Sequence, residues 1–169
     1  MTGKPDAPQI RVAGGDRIPE LRELWLELHR HHHAVSAVPV QPDDELSWCL
    51  SETQYTRALA TGDAVLLVAD GPSGPVGFAM VVVHPGPDDT YPFPGPYGEV
   101  VTLVVSDAAR GSGLGSRLLD AADAELAARG VTDQIIAVMA GNDDAQRLYE
   151  RRGFTAGEVI LFRQGPRPS

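Results

Sequence analysis

Residues 99–130 pass from a β-branched run through a glycine-rich turn into an amphipathic helix, and that succession limits the fold more than any other stretch. Val100 to Val105 has strand composition. Ser106, Asp107 and Ala108 break the run, and Arg110, Gly111, Ser112, Gly113, Leu114 and Gly115 lead into the next element. Leu114, Leu118, Ala122 and Leu126 recur at helical spacing, with Leu119 widening the stripe. Gly130 stands where a left-handed C-terminal cap is usual.

A strand, a glycine-rich turn and a helix N-terminus together make an anion site. The first backbone N–H groups of a helix have no partner inside it and carry the positive end of its dipole. Glycines let a bulky anion approach the backbone closely. The loop is therefore expected to hold a phosphate or diphosphate. It is not a Walker loop, because Ser116 and Arg117 follow Gly115 where Lys and then Ser or Thr are needed. It is not the dinucleotide fingerprint, because the third glycine is replaced by Ser116 or Leu118 in the two registers.

What fits is R-x-x-G-x-G, from Arg110 through Gly113 to Gly115, and this resembles the acyl-CoA diphosphate loop of the GNAT superfamily of N-acetyltransferases. A second motif, Ala137 to Phe154 (AVMAGNDDAQRLYERRGF), looks like the other half of that family's cofactor site. Asn142, Ala145, Tyr149, Gly153 and Phe154 stand at the family spacing. The resemblance is close over roughly the C-terminal 70 residues and extends loosely over the rest.

Along the remainder, residues 9–13 read as a strand and 18–33 as a helix with Leu21, Leu24, Trp25 and Leu28 on one face. Asp43 or Asp44 can cap a second helix running to about Thr61. Residues 64–70 and 76–84 read as a hairpin, and residues 85–96 as a proline-rich loop. A strand over 134–139, a helix over 142–151 and a last strand over 154–162 complete the pattern. The expected fold is α/β (α+β): a GNAT fold with a central mixed, mostly antiparallel, splayed sheet of six to seven strands and about four helices. The expected organisation is a disordered tail over 1–8, one acetyltransferase domain over 9–164 and a loose tail over 165–169.

The formal net charge of −9 disfavours nucleic acid as a partner, since phosphate backbones select basic surfaces. One cysteine, Cys49, permits no intrachain disulfide, as a reducing cytoplasm would allow. No signal peptide is visible and the apolar runs are too short to cross a bilayer, so no membrane role is expected. A homodimer is left open.

His31, His32 and His33 are consecutive, and neighbours on a helix point about 100° apart, so they cannot close on one ion. His29 and His33 could, but the Glu of H-E-x-x-H is missing, and no metal is expected. Histidines at a helix C-terminus also suit its dipole. The resemblance adds another reading, because this region lines the acceptor pocket in the family. His31 and His33 are then substrate-binding candidates, and Tyr91 and Phe93 are the loop residues that could join them.

The resemblance implies acetyl-CoA as co-substrate and a small-molecule or peptide amine as acceptor. Arg110, Gly111, Ser112, Gly113, Leu114, Gly115 and Ser116 would grip the diphosphate. Leu103, Val104 and Val105 would pair with the pantetheine arm, with the Leu103 amide on the thioester carbonyl, and Asn142, Ala145 and Tyr149 would complete the cofactor site. Tyr149 is the candidate acid, because a phenol keeps its proton at neutral pH. Glu99 is the candidate base, with a loop histidine such as His31 or His33 as the alternative. No cysteine lies near the motifs, so direct attack in a ternary complex is expected rather than an acetyl-thiol enzyme. The rival is a non-catalytic acyl-CoA-binding module; a dinucleotide-binding domain fails on spacing.

Overall fold

The computed structural model describes residues 7–40, 43–163 and 165. Most of the two expected tails lies outside them. Five strands, β1 (Gln9–Ala13), β2 (Ala64–Gly71), β3 (Gly74–His84), β4 (Tyr97–Val105) and β5 (Asp133–Ile136), form one sheet in sequence order. The first four are antiparallel, and β4 and β5 are parallel. A parallel pair needs a crossover, and the amphipathic helix α3 (Leu114–Ala128) supplies it. The other helices are α1 (Arg22–Val35), α2 (Asp44–Thr61) and α4 (Asp143–Arg151).

Both faces of the sheet are covered, which is why β2 reads as an unbroken apolar run instead of alternating. Val65, Leu67, Ala69, Ala79, Val81 and Val100 pack with Leu114, Leu118, Leu119, Ala122, Leu126 and Tyr149 on one face. Leu66, Val68, Phe78, Met80 and Val104 pack with Ile18, Leu21, Leu24, Trp48 and Tyr55 on the other. Asp43 is the residue that caps α2, accepting from the Leu46 amide at 3.0 Å. The helix expected from Ile18 begins instead as a 3-10 segment, Gly15–Leu21, with Pro19 inside it.

The strand count and the last strand need correction. The sheet has five strands, not six or seven, and residues 154–162 form no strand. Their β-branched composition is a preference that only a partner edge can satisfy. β5 ends at Ile136, short of the expected Met139, while Glu158 is drawn to the Tyr91 hydroxyl at 2.6 Å. Val159 and Leu161 are left exposed.

Candidate active site

β4 decides the geometry. Its pairing with β5 runs from Tyr97 to Val100 and stops, while its pairing with β3 continues to Val105. Residues 101–105 therefore have one sheet edge open among the described residues. A register shift between Met80 and Val81 sets Thr102 opposite Met80 and Val100 opposite Val81, leaving Val101 as an extra residue. The bulge exchanges the faces. Before it, Val100 packs towards α3, and a Cβ on Gly98 would meet Leu126 at 2.6 Å. After it, Leu103 and Val105 take that face. Thr102 is buried on the other, hydrogen-bonded to Tyr55.

The loop beyond β4 meets the N-terminus of α3. Gly111 (φ +73°) and Gly113 (φ +80°) occupy the left-handed region, and Gly113 is the N-cap. The Arg117 amide closes the first turn on the Gly113 carbonyl at 3.1 Å. No side chain caps this end, whereas Asp43 caps α2 and Asn142 caps α4. The amides of Leu114, Gly115 and Ser116 thus precede the helical ladder and can receive an anion. Ser112 Oγ donates to the Ala109 carbonyl at 2.6 Å, bracing the loop. Arg110 lies half-exposed beside it, ion-paired to Asp107 at 3.0 Å.

The second motif packs against the first. Asn142 Oδ1 accepts from the Ala145 amide at 3.3 Å, and Ala145 and Leu148 pack on the α3-side core. Tyr149 is buried there, edge-on to Phe154 with ring centroids 6.1 Å apart. Burial pushes the pKa of its hydroxyl up to about 12.

Glu99 is half-buried, and its imidazole partner is not a histidine of α1. His84, at the end of β3, meets it with Nε2 at 2.8 Å from Oε2. Tyr97 stacks on His84 (4.9 Å, 22°), and Phe93 and Tyr91 lean on Tyr97 at 5.0 and 6.3 Å. Asp88 ties the loop down, accepting from the Thr90 and Tyr91 amides at 2.8 and 2.9 Å and from the Tyr97 hydroxyl at 3.2 Å. Those amides hold its carboxyl below the usual range. His31 is half-buried on α1, and His33 lies edge-on to His29 at 4.8 Å. Sequence reasoning missed His84 and Tyr97, because the loop between β3 and β4 hides which residues oppose each other. It also missed a cleft of about 450 Å³ between α2 and β3, lined by residues including Leu50, Gln54, Arg57 and Val82. Val82 is the cross-strand partner of Glu99.

Residues 18–154 match the acetyltransferase (GNAT) family. This chain belongs to that family. It is 36% identical over 168 residues to the mycothiol acetyltransferase of Kocuria rhizophila, covering 96% of this chain and 54% of that one. It is 31% identical to the mycothiol acetyltransferase of Thermobispora bispora, covering 84% of this chain and 46% of that one. The chain thus spans about half the length of these curated relatives. Aminoglycoside N-acetyltransferase AAC(6')-Iy, solved in complex with CoA, superposes with a TM-score of 0.72 at 15% identity. That match covers 98% of this GNAT chain and 99% of the other, and shows the shared fold. Among the described residues, no group of three or more His, Cys, Asp or Glu could hold a metal, and no helix is long and apolar enough to cross a membrane.

Proposed function

We propose that this chain is an acetyl-CoA-dependent N-acetyltransferase acting on a primary amine of a small molecule or peptide, by direct attack in a ternary complex. One observation carries the reading: β4 parts from β5 after Val100 and leads into an uncapped helix N-terminus behind two left-handed glycines. An open strand edge suits a peptide-like arm, and such a helix end suits a diphosphate. CoA has both.

In this reading the amides from Gly111 to Ser116 hold the diphosphate and Arg110 adds charge. Leu103 to Val105 pair with the pantetheine arm, and the Leu103 amide polarises the thioester carbonyl. The amine's lone pair forms the new C–N bond as the C–S bond breaks. Tyr149 protonates the departing thiolate, and Glu99 receives the proton lost by the amine. Four residues of strand, roughly 13 Å, separate Glu99 from Leu103, so that proton travels through water.

The acceptors of the mycothiol acetyltransferases head the list of amines to try. The test is release of free CoA thiol from acetyl-CoA with those acceptors, polyamines, aminoglycosides, amino acids and Lys peptides. Acceptor-dependent release supports the reading. Thermal stabilisation by acetyl-CoA with no release from any acceptor overturns it in favour of a binding module.

A further inference from the structure

His84 and Glu99 stand fifteen residues apart in sequence on adjacent antiparallel strands, and the fold brings Nε2 within 2.8 Å of Oε2. Their side chains are comparably accessible, 35% and 33%, so the pair is neither buried in the core nor fully solvated. Tyr97 fixes the plane of the imidazole by stacking on it. The Tyr97 hydroxyl is in turn bonded to Asp88, which the Thr90 and Tyr91 amides hold in place. The ring that contacts Glu99 is therefore held by two successive contacts. The charged groups facing it are Glu99 from β4 and Asp88 from the loop.

We propose that His84 is a positioning residue for Glu99 in the transfer reaction: its imidazole donates Nε2–H to Oε2, turning Oε1 towards the acceptor. The inference rests on the reading of Glu99 as base. A carboxylate free to rotate loses alignment with the amine, and one hydrogen-bonded oxygen removes that freedom. The proton moves from the attacking nitrogen through water to Oε1, and His84 keeps its own proton throughout.

Two variants test this, using acetyl-CoA and the amine turned over fastest in the panel above. His84→Leu removes the donor and is expected to lower kcat about tenfold or more, with KM for acetyl-CoA unchanged. His84→Gln supplies an amide N–H and is expected to restore most of kcat. Wild-type kcat in His84→Leu overturns the proposal, as does a kcat in His84→Gln no higher than in His84→Leu. Should the leucine variant fail to fold, His84→Phe, which keeps a ring to stack on Tyr97 but has no N–H, takes its place. Glu99→Gln with full turnover overturns the base reading instead, and a panel with no turnover overturns the transferase reading itself. Loss of turnover in Glu99→Gln beside unaltered His84 variants sinks the role of His84 only.

Discussion

Glu99 and Tyr149 stand on opposite faces of the sheet. Tyr149 is packed among the α3-side residues, whereas the neighbours of Glu99 on β4, Gly98 and Val100, are the ones that point at α3. Strand alternation turns Glu99 the other way, towards the side that α1 and α2 cover. In the proposed reaction the base and the acid therefore approach the gap between β4 and β5 from two sides, which keeps the proton taken from the amine away from the one given to the thiolate.

Tyr149→Phe is expected to lower kcat by about a hundredfold while changing acetyl-CoA affinity only a few-fold. Steady-state kinetics beside equilibrium binding measure both, and unchanged kcat removes Tyr149 from the acid role. A second consequence follows from its burial. Its pKa is raised to about 12 in the fold, above the roughly 10 of a free phenol. The folded state therefore binds more protons than the unfolded state between those values, and this contribution to stability is lost as pH rises from 10 to 12. Wild type should lose more stability than Tyr149→Phe across that window, as denaturation at each pH would record.

Gly113→Val is expected to weaken acetyl-CoA binding at least tenfold and to destabilise the fold by about 1–2 kcal/mol. No atom lies within 4 Å of a Cβ built there, so the cost is the left-handed backbone at φ +80° and not a clash. Calorimetric titration with CoA gives the affinity; wild-type affinity in a folded variant contradicts the anion site.

Gly141→Ala is expected to cost at least about 2 kcal/mol. A Cβ at this position would stand 2.2 Å from the Val35 carbonyl oxygen, and φ is +99°. The substitution would force the end of α1 away from the loop that leads to Asn142. A melting temperature unchanged from wild type would show that the two segments separate without cost.

Asp70→Asn is expected to cost about 1 kcal/mol at pH 7 and little at pH 2. Asp70 accepts from Arg17 at 2.8 and 3.3 Å, and the guanidinium holds its carboxyl below the usual range. The folded state thus keeps Asp70 ionised where the unfolded chain protonates it. The stabilisation is present above about pH 4 and disappears as pH falls through the depressed value. Thermal melts of both proteins at the two pH values test it.

Local chemistry was legible without coordinates. The glycine-rich entry to α3 and the short helix that carries Tyr149 could be read because each involves residues a few places apart. The β5 boundary and the supposed last strand could not. Strand composition at Val159–Phe162 says what the segment would prefer, but not whether an edge is there to receive it.

Read alone, the chain determined its family, its glycine-rich loop and most of its helices, because glycine conformation, helix capping and apolar spacing act over one or two turns of backbone. Only the tertiary structure decided which way Glu99 faces and what it touches. One extra residue at Val101 exchanges the two faces of β4, and a register set across the proline-rich loop delivers His84 to the carboxylate. Pairing between strands is fixed by the packing of both faces at once, and no local pattern encodes it.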